Sequence, residues 1–268
     1  MEVNLTPGDV RLGAELACAE MLLSGVTGCA DHCFHAEHIA EAAVATGIRA
    51  GIAPTYFSSS GREALERGAE TAVALHGAGG GRVRASLGPH APYTVDDDDL
   101  ARIADLARET GLRAHIHAAE HMEQTTSSHA RIGVTSIEVL ERTGVHDAGA
   151  LIAHGRGITE PDPPRLAAWR DRGTPAAGRS RTGVSGCKAC LRYTFGQQAT
   201  AVGHNTLDVR EAMRLVALTQ KQAEWDATWM TVSDTIRVAT RGGARALGLG
   251  DRIGALEVGR AADVVLVD

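Results

Sequence analysis

Short apolar runs alternate with helix-like stretches along most of this chain, and the runs end in polar residues. Val26 to His32, Arg49 to Tyr56, Val83 to Leu87, Arg113 to Ala119 and Ala150 to His154 read as strands. Helices are expected over Thr6 to Leu23, with Thr6 as cap and Pro7 in the first turn, and over Ala36 to Thr46 and Gly61 to Leu75. A further helix follows Thr94 as its cap, and two more are expected over Val134 to Arg142 and Pro163 to Asp171. Strand and helix in alternation imply a parallel sheet with right-handed crossovers. Polar residues gather at the strand ends: Asp31, His32, His90, His117, Glu120 and His154. In a β/α barrel that end carries the active site. The expected fold class is therefore α/β, a barrel of alternating strands and helices. A doubly wound open sheet is the runner-up, but no glycine-rich phosphate turn follows the first strand.

Hydrophobic residues make up 44% of the chain and aromatics 3%, so the core must be built from Ala, Val, Leu and Ile. A formal charge of -6 argues against nucleic acid or an anionic membrane as partner. No apolar run is long enough to span a bilayer, and Met1 to Val10 lacks the basic start and apolar centre of a secretory signal. The expectation is a cytoplasmic protein acting on a small molecule. Five cysteines, an odd number, fit reduced thiols.

The densest chemistry lies in Arg113-Ala114-His115-Ile116-His117-Ala118-Ala119-Glu120. Strand side chains alternate, so His115 and His117 share a face. Two imidazoles and a carboxylate at a strand's end suit a metal site with an acid/base beside it. The same residues also fit a buried histidine pair bonded to backbone, and Glu120 fits an acidic helix start. His32 and His35 read as pocket-wall or surface residues. Cys187 and Cys190 read as half a zinc site, a redox pair or two incidental thiols.

Taken together, several stretches resemble the amidohydrolase superfamily, in its cytosine deaminase-like branch with the methylthioadenosine/S-adenosylhomocysteine deaminases and s-triazine hydrolases. They are Glu20 to Thr27, Leu87-Gly88-Pro89-His90-Ala91-Pro92-Tyr93, His115 to Glu120, Ile152-Ala153-His154, Ala239 to Gly248 and Ile253 to Val267. The resemblance implies hydrolysis of a carbon–nitrogen bond, most simply deamination of a nucleoside or N-heterocycle, with one divalent metal, zinc or iron. It implies His117 as metal ligand and Glu120 as proton shuttle to the leaving ammonia. His154 would orient the hydroxide or steady the tetrahedral intermediate, and His90 would bond the substrate ring. It further implies a (β/α)8 TIM-type barrel over 1–248 and, over 249–268, the C-terminal strands of a small β domain. His115 falls in a lower layer of the barrel.

Two departures qualify those expectations. The family's first strand, with its His-x-His ligand pair, has no counterpart after Met1, so the barrel is expected to be incomplete and to form homo-oligomers through an open edge. The family also ends its last strand in Gly-Thr-Asp-Gly, where this chain has Phe195-Gly196-Gln197-Gln198-Ala199. No acidic residue stands between Asp171 and Asp208, and the composition of 175–203 fits a local change of reading frame. The expected activity is accordingly impaired. The rival readings are an inactive chain acting as a binding partner and a small zinc or redox module on Cys187 and Cys190.

Overall fold

The computed structural model describes residues 4–155, 157–159, 162–171, 183–184 and 207–266. Cys187, Cys190 and the expected frame change over 175–203 lie outside the described residues, except for Gly183 and Val184. Helix α1 (Pro7–Leu23) begins with a capping box: Thr6 Oγ1 accepts the Asp9 N–H, and the Asp9 carboxylate accepts the Thr6 N–H. Strand β1 (Gly28–Cys33), helix α2 (Ala36–Thr46), strand β2 (Arg49–Tyr56) and helix α3 (Arg62–Leu75) follow as expected. A tight turn, α4 (Ala78–Gly81), leads into β3 (Val83–Ala85) and β4 (Gly88–Pro89). Then come α5 (Asp97–Thr110), β5 (Ala114–Ala118), α6 (Met122–Ile132), α7 (Ser136–Arg142), α8 (Val145–Ala148), β6 (Ala150–His154) and α9 (Asp162–Asp171). After β7 (Gly183–Val184), helices α10 (Val209–Glu224), α11 (Val232–Arg237) and α12 (Gly243–Ala246) close the described chain.

All pairings are parallel. β1 pairs with β2, β2 with β3 and β4, β5 with β6, and β6 with β7. The two groups join where Leu87 bridges Ala114 and the His117 N–H donates to the His90 carbonyl at 2.9 Å. Spatial order therefore follows sequence order without reversal. That is the order of a barrel wall; a doubly wound sheet reverses at its switch point.

The wall has two faces. On β1, Cys29 and Cys33 pack toward α1 and α2, while Ala30 packs with Leu247, Leu249 and Ile253. Next on that second face, His32 meets the ring of His117. Ile52, Ile116 and Ile152 are fully enclosed, as a core poor in aromatics requires. Leu247 seats under the sheet because Gly28 and Gly51 have no side chain; a Cβ on either would lie 3.1 Å from a Leu247 methyl. The Arg49 guanidinium holds Asp263 with two hydrogen bonds, 2.8 and 3.0 Å, fastening the tail to the start of β2.

Two expectations need correction. Thr94 does not cap α5; Asp96 holds that position. Thr94 Oγ1 is instead engaged with the Ala91 carbonyl and with His90. The stretch from Ile253 onward forms no strand among the described residues, and Leu256, Val258 and Val264 stand in the open. Alternating apolar residues make a strand only where a neighbouring strand takes up the backbone hydrogen bonds.

Asp31 carries a testable cost. Its Oδ1 is enclosed without a partner among the described residues, and burial pushes its carboxyl up to about 6. A carboxyl raised on folding favours the fold at low pH, and that contribution is lost as pH rises through the folded value. Asp31→Asn is therefore expected to raise stability by about 2 kcal/mol at pH 8 and to change little below about pH 4. Denaturant melts across that range check the sign; a gain confined to acid pH would refute it.

Candidate active site

The strand ends bring together the histidines that the sequence scatters. His117, the fourth residue of β5, is the centre. Its ring lies 4.7 Å from that of His32, 5.1 Å from His90 and 5.4 Å from His154, between ring centroids. His117 Nδ1 donates to the His90 carbonyl at 2.8 Å, which leaves Nε2 in the acceptor form that a metal or substrate proton requires. His90 follows β4, and its Nδ1 lies 2.8 Å from Thr94 Oγ1. Thr94 Oγ1 also lies 3.2 Å from the Ala91 carbonyl, so the threonine fixes the orientation of the His90 ring.

Glu120 stands just beyond β5 with its side chain one-third exposed, and Oε1 lies 3.7 Å from His154 Nε2. The Glu120 N–H donates to Gln124 Oε1 at 2.8 Å, and Gln124 also bonds the Tyr93 hydroxyl. Burial first, and then the Glu120 charge, raise Tyr93 above its ordinary pKa. Helix α6 starts after Glu120, with His121 as its cap, so Glu120 is a loop carboxylate and not a first-turn acid. Ala119 (φ 50) and His154 (φ 75) both hold left-handed backbone without being glycine. Such strain costs on the order of 1 kcal/mol per residue and concentrates at functional sites.

His32, read from the sequence as a pocket-wall or surface residue, stacks on His117 at an interplanar angle of 12° and lies 5.0 Å from His115. Its Nε2 bonds the Gly88 carbonyl at 3.1 Å, and its Nδ1 is enclosed without a partner among the described residues. Burial, with His117 alongside, pulls His32 down to about 3. The strand alternation that paired His115 with His117 also puts His32 on the inner face, and that was the available signal. His115 is buried, as a lower-layer residue should be, and burial holds it well below the ordinary histidine value.

A catalytic zinc needs three protein donors converging on one point. Among the described residues no three His, Cys, Asp or Glu are so arranged. His117 and His32 do not supply a pair, because stacked rings send their in-plane lone pairs side by side. The described residues thus do not make a complete metal site.

A parallel barrel wall with histidines and a carboxylate at its strand ends is the frame of a barrel hydrolase. The chain belongs to the amidohydrolase family, which it matches over residues 1–268. It is 36% identical over 277 residues to the 5-methylthioadenosine/S-adenosylhomocysteine deaminase of Desulforudis audaxviator, covering 99% of this chain and 64% of that protein. It is 31% identical over 284 residues to the 5'-deoxyadenosine deaminase of Methanosarcina mazei, covering 100% and 64%. The chain thus spans under two thirds of the length of these relatives. Its structure is similar to that of an adenosine deaminase from Xanthomonas campestris with bound zinc, at a TM-score of 0.83 and 28% identity, over 97% of this chain and 62% of that one. The atrazine chlorohydrolase TrzN from Arthrobacter aurescens TC1, complexed with zinc, shares the fold at a TM-score of 0.77 and 22% identity, over 97% and 64%. No described helix is long and apolar enough to cross a membrane.

Proposed function

We propose that this chain carries the substrate-facing half of an amidohydrolase site built for hydrolytic deamination of an adenine nucleoside or related N-heterocycle. The carrying observation is the convergence of His90, His117, Glu120 and His154 at adjacent strand ends. The activities for which the relatives are named support the substrate class. A divalent ion, zinc or iron, belongs to such chemistry, with His117 as one ligand; the described residues supply no complete set.

Within that reading the side chains divide the work. His90, its ring held by Thr94, hydrogen-bonds the heterocycle. Glu120 accepts a proton from the attacking water and returns it to the departing ammonia. Gln124 holds Glu120 by its backbone N–H, and His154, 3.7 Å away, steadies the charge that develops at the attacked carbon.

The chain's own activity is impaired, and a role as binding partner is the alternative; the lack of a three-donor group among the described residues favours both over full catalysis. In the same reading, 1–248 forms the barrel that carries these strand ends, and 249–268 lies beyond it.

Calorimetric titration with adenosine tests the site. Binding is expected, weakened about tenfold or more by His90→Ala or Glu120→Gln. Adenosine binding untouched by both substitutions would overturn it.

A further inference from the structure

Asp96 to Asp99 run into the start of α5, and the first three of them are exposed. Asp99 instead turns inward, with its side chain 14% exposed. Its Oδ2 accepts the Tyr56 hydroxyl at 2.6 Å and the Ser58 hydroxyl at 2.5 Å, and Oδ1 lies 3.2 Å from an Arg62 nitrogen. Burial alone would raise this carboxyl; the bonds from Ser58 and Tyr56 and the charge of Arg62 outweigh it and hold Asp99 below its ordinary value. An acid favoured only by the helix dipole would stand in water, as its neighbours do.

Both hydroxyl partners lead to His90. The Tyr56 carbonyl accepts the His90 N–H at 2.9 Å. The Ser58 N–H donates to the Thr94 carbonyl at 3.1 Å, and Ser58 Oγ accepts the Asp96 N–H at 2.9 Å. Thr94 Oγ1 in turn lies 2.8 Å from His90 Nδ1. From this geometry, and resting on the reading of His90 as the residue that meets the heterocycle, we infer that Asp99 is a positioning residue. It fixes the His90 imidazole by tying the end of β2 to the loop over 88–96. The carboxylate closes the network from the side away from the ring, so that each bond holds the next in place. Without it the Tyr56 and Ser58 hydroxyls turn to other partners, and Thr94 and His90 lose their shared anchor.

NMR of the chain labelled in its histidine rings tests this, with the His90 signals identified by their loss in His90→Ala. Asp99→Ala is expected to shift or broaden the His90 ring signals and to weaken adenosine binding about tenfold, because a small misplacement of a binding group costs more than the bond removed. Asp99→Asn keeps a carbonyl oxygen with two lone pairs for the two hydroxyls, so it should hold the signals near their native positions and the affinity within about threefold. In a Thr94→Val background, where the link to the ring is already cut, Asp99→Ala should shift the signals clearly less than it does alone. Asp263→Asn, which breaks the ion pair at the opposite end of β2, is the control: it lowers Tm and leaves the His90 signals in place. Thermal melts confirm folding; should Asp99→Ala not fold, Ser58→Ala, which cuts the arm to Thr94, must produce the same shift. Unmoved His90 signals in the folded variant, full additivity with Thr94→Val, or an equal shift in Asp263→Asn would overturn the role of Asp99. A native chain that does not bind adenosine would overturn the deaminase reading, and the ring signals would still decide whether Asp99 positions His90.

Discussion

Given zinc or iron and 5'-deoxyadenosine, the purified 268-residue chain is expected to release ammonia at least about 10⁴-fold more slowly than the ~10 s⁻¹ of an ordinary enzyme. A catalytic metal brings the pKa of its water from 15.7 to about 7, which makes hydroxide abundant at neutral pH. That effect needs the ion held by about three protein ligands. Of the His, Cys, Asp and Glu side chains described, no three converge, and the 173–207 stretch contains no carboxylate that could join them. Glu120 can still move a proton, but general acid–base help is worth only about 10²- to 10⁴-fold. Ammonia release and bound metal, measured on one sample, decide the matter. A turnover number in the ordinary range, with stoichiometric metal, would show that a ligand set forms beyond the described residues.

Gly88→Ala is expected to destabilise the fold by about 2–3 kcal/mol and lower Tm by roughly 5–10 °C. Gly88 sits opposite Thr55 where β4 pairs with β2. A Cβ there would lie 2.0 Å from the Pro54 carbonyl oxygen and 2.7 Å from its carbon. Neither is a side chain that can swing aside, so β4 itself must shift. The shift would move His90, whose carbonyl takes both the Nδ1–H and the backbone N–H of His117. Gly13→Ala is the control: it lies within α1 with nothing within 4 Å of the new methyl, and a helix gains from alanine. Equal melts for the two variants would refute the steric account.

The strands and helices were legible because the hydrophobic period changes from two to nearly four at each boundary, and a capping box such as Thr6–Asp9 is a local signal. That His90, His117, Glu120 and His154 come near one another was legible for a related reason: a parallel barrel brings its strand ends together, while the roles proposed for them come from the family resemblance. The position of His32 was harder to weigh. Its ring reaches His117 only because Asp31 and His32 register against Ile52 and Ala53 on β2, and register is a long-range property. Thr94 was misread because a threonine before an acidic run fits a cap by composition, whereas its hydroxyl is committed to His90 and Ala91. The tail was misread because alternation describes a surface able to pair and cannot supply the partner.

The fastening of Asp263 to Arg49, with Leu247 seated beneath Gly28 and Gly51, sets an order of events. The two ends of that ion pair are 214 residues apart in sequence. Closing so long a loop is slow compared with forming the neighbouring β1–β2 unit, which needs only local chain. The Arg49–Asp263 pair is therefore a long-range contact that forms after the β1–β2 unit, and Asp263→Ala is expected to loosen the tail while leaving that unit paired.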